Sequence, residues 1–158
     1  MRFIKILFAI TFIFQQSVFS QVWLKKIAAY QMTVEEVEKL ISAVPDKSLS
    51  TKDSYIYLLK EGRLEIDFSL GRCVEGMYGK WELEKGVIIQ AVFYPEKWRK
   101  ISYYEKDVKS LEKEQGRGYV FSYYKNNTKG IRYTMQWEKV YSITMSAAEN
   151  INPVKCKD

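Results

Sequence analysis

Leu64, Ile66, Phe68 and Leu70 repeat every second residue, separated by Glu65, Asp67 and Ser69. Only a strand sends alternate side chains to opposite faces, so this stretch must lie in a sheet with one buried and one wet face. Upstream, Tyr55, Tyr57 and Leu59 alternate with Ile56 and Leu58, and Lys60-Glu61-Gly62-Arg63 between the two runs reads as a hairpin turn. Val87 to Tyr94 is apolar at nearly every position, the pattern of a strand covered on both faces, and Pro95 stops it. Trp81-Glu82-Leu83 reads as a short strand before a Glu84-Lys85-Gly86 turn. The glycine-bearing run from Gly71 to Gly79 reads as a loop. Three further alternating runs, Tyr119–Lys125, Ile131–Trp137 and Val140–Met145, are joined by Asn126–Gly130 and by the tight hairpin turn Glu138-Lys139.

Helical spacing occurs twice. Thr33-Val34-Glu35-Glu36 is a capping box, in which the Thr33 hydroxyl accepts from the Glu36 amide and the Glu36 carboxylate accepts from the Thr33 amide. Met32 and Val37 fit a hydrophobic staple around that cap. Val34, Val37, Leu40 and Ile41 share one face, and Pro45 is expected to end the helix. Tyr104, Val108 and Leu111, with Glu105 and Lys109 as an i,i+4 ion pair, predict a second, shorter helix. The expected fold is α+β: an antiparallel sheet with an N-terminal amphipathic helix and a second short helix. The order of helix, three strands, helix, three strands suggests a duplication.

The first twenty residues are of another kind. Arg2 and Lys5 precede an almost wholly apolar run from Ile6 to Phe14, and Val18-Phe19-Ser20 resembles a cleavage site. This is the pattern of a secretory signal peptide over residues 1–20, and the run is too short to span a bilayer. Residues 21–158 are then expected to form a single α+β domain, exported to the periplasm or beyond and without a membrane span. Arg2 and Lys5 account for two of the 25 basic residues, so the remaining chain carries 23 against 19 acidic ones, a mild +4. At 47% apolar and 28% charged, the full sequence has the composition of a folded domain.

Cys73 and Cys156, the two cysteines, are expected to form one disulfide in an oxidising compartment, pinning the C-terminal tail to the body. A loop of about 84 residues has a chain-entropy contribution of about 4 kcal/mol. No C-x-x-C spacing supports a reactive thiol pair instead.

The chain contains no histidine, which excludes a Ser-His-Asp triad, a Cys-His pair and an imidazole metal site. Neither an EF-hand loop nor a phosphate-binding glycine motif is present, so neither a metal nor a cofactor is expected, and no catalytic residue is assigned. Glu65 and Asp67 project from one strand face and are the one carboxylate pair with the placement a glycan hydrolase needs, although Arg63 and Ser69 mark that face as the solvated side. Asn126-Asn127-Thr128 matches a glycosylation sequon but is also turn chemistry, and is read as the turn.

The aromatic content points further. Without the five phenylalanines of residues 1–20 the chain keeps twelve Tyr, four Trp and three Phe, a set of amphipathic rings suited to binding surfaces and half-exposed sheet faces. Trp98, Arg99, Tyr103 and Tyr104 are the candidate binding residues, because Lys97, Arg99 and Lys100 argue for a surface position of Trp98. Six cations and five carboxylates alternate between Glu96 and Glu114, so no basic stripe forms and nucleic acid is not an expected partner.

Two resemblances accompany these readings. Tyr30 to Leu40, with Met32-Thr33 at the cap and Glu36-Val37 inside, resembles the helix entry of outer-membrane-lipoprotein and beta-lactamase-inhibitor-protein-like domains. Val87-Ile88-Ile89, Tyr94-Pro95, Tyr119, Gly130-Ile131, Val140, Ile143 and Cys156 are similar in order and spacing to an uncharacterised family of small secreted bacterial proteins. That likeness covers most of residues 21–158; it implies an exported α+β domain and carries no catalytic residue across. The lipidated cysteine of the lipoprotein pattern has no counterpart here. The function expected is a non-enzymatic binding module for an envelope or extracellular protein or glycan, acting through a Tyr/Trp-rich sheet face or edge. The alternatives are a carboxylate-based glycan hydrolase or a structural or inhibitory envelope protein.

Overall fold

The computed structural model describes residues 22–76, 79–116, 121–151 and 154–156. The expected signal peptide therefore lies outside the described residues, as do Tyr119 and Val120. Among the described residues ten strands form two antiparallel sheets. The larger has the order β1-β2-β5-β9-β8-β7-β6, with β1 Ser54–Leu59, β2 Gly62–Phe68, β5 Ile88–Pro95, β6 Glu112–Gln115, β7 Phe121–Asn126, β8 Ile131–Gln136 and β9 Lys139–Met145. The smaller has β3 Cys73–Gly76, β4 Gly79–Glu82 and β10 Val154–Lys155 in the order β10-β4-β3. Among the described residues no helix is long and apolar enough to cross a membrane.

Alternation decides which face is buried. Tyr57, Leu64, Ile66, Phe68, Ile88, Ala91, Phe93, Tyr133, Met135, Ile143 and Met145 form the inner face of the large sheet and the bulk of the core. The one α-helix among the described residues, α1 (Val34–Ile41), covers part of this face with Val34 and Val37, and Leu40 and Ile41 flank them. Its start is the expected capping box: Glu36 N donates to Thr33 Oγ1 (3.3 Å) and Thr33 N donates to Glu36 Oε2 (2.8 Å). Each fully buried aliphatic side chain contributes roughly 1.5–3 kcal/mol, so packing rather than propensity holds this two-turn helix. The helix ends earlier than expected. Ser42 takes the left-handed conformation (φ 52°, ψ 42°), so the chain leaves the helix before Pro45 can stop it.

Three other expectations are corrected. The second helix does not form. Residues 101–103 and 108–110 are single 3-10 turns, and Leu111 leads directly into β6. Glu105, expected to pair with Lys109 one helical turn on, instead turns inward with Tyr104: its carboxylate accepts from Lys25 Nζ (3.0 Å), Tyr133 Oη (3.3 Å) and the Asp107 amide (3.4 Å). These tertiary contacts override the helical spacing and turn residues 96–111 into a strap carrying Ile101, Tyr104 and Leu111 into the core between β5 and the far edge strand. The helix on which the suggested duplication rested is thus missing from the second half. The Gly71–Gly79 run is not simply a loop, because Cys73–Gly76 pairs with Gly79–Glu82 as a hairpin. And β5 alternates: Ile88, Ala91, Phe93 and Pro95 are buried while the residues between them are half-exposed, so only one side is fully covered.

Cys73 and Cys156 are bonded, with Cα atoms 5.9 Å apart. The bridge fastens the tail where β10 pairs with β4 and where Cys156 N donates to Lys80 O (3.2 Å). The Asn126–Gly130 turn closes as expected. Asn126 Oδ1 accepts from Lys129 N (3.1 Å), and Gly130 sits at φ 63° against the Ser146 carbonyl oxygen, where a Cβ would collide.

Candidate binding face

The outer face of the large sheet follows from the same registers. With Leu64, Ile66 and Phe68 turned inward, Arg63, Glu65 and Asp67 point outward opposite Tyr94, Val92 and Gln90 of β5. The row through Glu65 and Val92 continues to Thr144, Arg132, Lys125 and Glu112 across β9, β8, β7 and β6. Among the described residues no α-helix lies on this side, and the strands' own side chains cover it.

At one end of that face four aromatic rings meet. The Tyr141 ring centroid is 5.9 Å from Tyr94, 5.4 Å from Trp98 and 6.0 Å from Phe121. Edge-to-face contacts at these distances are favourable ring packing. Tyr141 reaches this position through a β-bulge. Thr134 pairs with Ser142 but Met135 pairs with Val140, leaving Tyr141 as the extra residue, so Val140 faces the core while Tyr141 and Ser142 both face outward. Tyr141 is 37% exposed while Ser142 beside it is buried.

Cations border the rings. The Arg63 guanidinium lies 4.8 Å from the Tyr94 centroid and the Arg132 guanidinium 5.5 Å from that of Tyr123, occupying one face of each. Arg63 also donates from Nη2 to Glu65 Oε1 (2.8 Å), and Lys125 Nζ to Glu114 Oε2 (2.6 Å). Arg132 Nε is buried and has no hydrogen-bond partner among the described residues. The Tyr94 hydroxyl is pushed above its usual pKa by burial, reinforced by the Glu65 charge, so it remains a neutral donor and acceptor.

The four candidate residues separate. Trp98, half-buried, stands at the rim of the ring cluster. Arg99 accepts from Val140 N through its carbonyl (2.8 Å) and holds its guanidinium 5.8 Å from the Tyr103 centroid, and Tyr103 is 49% exposed. Tyr104 is corrected: at 7% exposure it is part of the core, its hydroxyl donating to Lys97 O (3.5 Å) and its pKa pushed up to about 12 by burial and the adjacent Tyr103. Ser102 and Tyr103 of the strap are exposed, whereas Tyr104 and Glu105 turn toward the sheet. Tyr141, Tyr94 and Phe121 were not singled out from the sequence. One signal of the bulge was present. Val140 to Ile143 is a step of three within a run of period two, and only an extra residue puts both on the inner face.

Glu65 and Asp67 do share the outer face, with Glu65 engaged by Arg63. Among the described residues no three cysteine or carboxylate side chains gather as a metal-ligating group. No family model, curated protein or solved structure matches this chain.

Proposed function

We propose that the protein is an exported, non-enzymatic binding module whose outer sheet face takes an envelope or extracellular saccharide chain. The observation that carries this reading is the ring cluster of Tyr94, Trp98, Phe121 and Tyr141, opened to solvent by the bulge at Tyr141. Bulges commonly re-aim side chains at functional positions. A sugar presents apolar C–H faces rimmed by hydroxyls. The cluster offers half-exposed rings beside the hydrogen-bonding groups of Gln136, Thr134 and Arg63. The signal-peptide pattern, the disulfide and the likeness to small secreted bacterial proteins supply the exported location in this reading.

The test is affinity capture. Oxidised protein on a support is exposed to envelope extract, and retained glycan and protein are identified by mass spectrometry. Saturable glycan retention that falls about tenfold with Trp98→Ala, roughly what losing one stacking contact removes, supports the reading. Retention of a single protein without glycan, or of nothing, overturns it.

A further inference from the structure

The β8–β9 turn holds a residue that turn chemistry does not choose. Gln136 pairs with Lys139, leaving Trp137 and Glu138 as a two-residue loop with φ values of 48° and 62°. Both central residues are left-handed, the signature of a type I′ turn, where Asn-Gly is the preferred pair and a bulky side chain is strained. Trp137 is also 77% exposed, so no packing within the domain offsets that strain. A strained, solvent-facing indole is an outlier that calls for a function outside the fold.

Its surroundings indicate which. The Val140 N to Arg99 O hydrogen bond ties residues 97–100 to this turn. Lys97, Arg99, Lys100 and Lys139 are exposed there, against the carboxylates Glu96 and Glu138. Half-exposed Tyr103 and the Trp98 rim belong to the same end of the sheet. Trp and Tyr interspersed with Lys and Arg is the composition of the membrane–water interface, where amphipathic rings sit at headgroup level and cations meet anionic lipid. The turn residues Trp137, Glu138 and Lys139 are all exposed and Gln136 pairs with Lys139, so an indole at this tip can enter the headgroup layer while the hairpin backbone stays paired.

We propose that this end of the sheet docks reversibly on an anionic lipid surface, with the Trp137 indole as its insertion group and Lys97, Arg99, Lys100 and Lys139 as its electrostatic contacts. The proposal is independent of what the outer face binds. Docking by a few cations and one ring is salt-sensitive, because the electrostatic part is screened within a Debye length.

The test is co-sedimentation of the oxidised protein with vesicles of phosphatidylcholine alone or with roughly one third phosphatidylglycerol. The expected result is binding to the anionic vesicles only, weakened by salt. The decisive variant carries Trp137→Asn and Glu138→Gly, which supplies the preferred turn. It should melt a few degrees higher than the wild type yet bind the anionic vesicles about tenfold more weakly. Opposite signs in stability and binding separate a lost anchor from a lost fold. Wild-type protein that ignores anionic vesicles at low salt, or a variant that sediments like the wild type, would overturn the proposal; the first outcome would leave Trp137 as an anchor for a protein pocket.

Discussion

The two faces of the large sheet use the same residue type for different ends. On the core side three tyrosines are buried and each of their hydroxyls has an acceptor: Tyr57 donates to Glu38 Oε1 (3.0 Å), Tyr133 to Glu105 Oε2 (3.3 Å) and, from the strap, Tyr104 to Lys97 O (3.5 Å). Burial and the neighbouring carboxylates push the Tyr57 and Tyr133 hydroxyls well above their ordinary pKa, which keeps both neutral donors. On the outer face Tyr94, Tyr123 and Tyr141 are half-exposed and meet rings and guanidinium groups instead. An inner tyrosine is locked by a specific acceptor and by packing. An outer one retains free ring surface, so its removal should be felt in binding more than in folding.

The largest effect should come from the inner face. Tyr57→Ala removes a fully buried ring and leaves Glu38 without that donor, and should cost about 3–5 kcal/mol in urea unfolding. A cost below about 1 kcal/mol would mean the two faces do not differ as described. Next is the bridge. Replacing Cys73 and Cys156 together by Ser should destabilise the protein by about 2–4 kcal/mol and free the tail, seen as faster amide exchange at Val154 and Lys155. Thiol titration of the native protein should detect no free cysteine.

A smaller effect concerns the strap. Burial pushes the Glu105 carboxyl up, but the hydrogen bonds from Lys25 and the Asp107 amide, with the Lys25 charge, more than offset this and hold it below its ordinary value. A carboxylate whose folded pKa lies below its unfolded one contributes stability that is complete above the unfolded value and is lost as pH falls through the folded one. Stability should therefore decline as pH falls through and below the ordinary carboxylate range, and Glu105→Gln should flatten that decline while costing about 1–2 kcal/mol at neutral pH. An unchanged pH profile in the variant would remove Glu105 from the account. The smallest effect is expected from Glu65→Gln with Asp67→Asn. Glycan retention should be unchanged within about twofold, whereas loss of a glycan-cleaving activity in that variant would transfer the outer face to the hydrolase reading.

The comparison also shows which features can be read locally. The Thr33 cap involves residues three apart, and the β1–β2 hairpin alternates cleanly, so both were evident before any tertiary contact was known. Cysteine pairing followed from there being two. The strap at 96–111 was misread because Tyr104 and Leu111 are both core residues and happen to be spaced as a helix face would space them. What fixes them is Glu105 meeting Lys25 and Tyr133, which lie 80 and 28 residues away in the chain. The β3 strand was hidden by glycines whose pairing depends on β4 and the bridge. The ring cluster joins Tyr94, Trp98, Phe121 and Tyr141 from three strands and the strap. Its center depends on a register shift that the sequence marks only by one odd step between Val140 and Ile143.

The central claim is that the outer face, not the core side, carries the ligand. It is tested most directly by measuring glycan retention and melting temperature together for Tyr141→Ala and Tyr57→Phe. The account predicts that Tyr141→Ala loses about tenfold in retention with little change in melting temperature, and that Tyr57→Phe melts lower with retention intact. Undiminished retention by Tyr141→Ala, or loss of retention in step with melting in both variants, would contradict it.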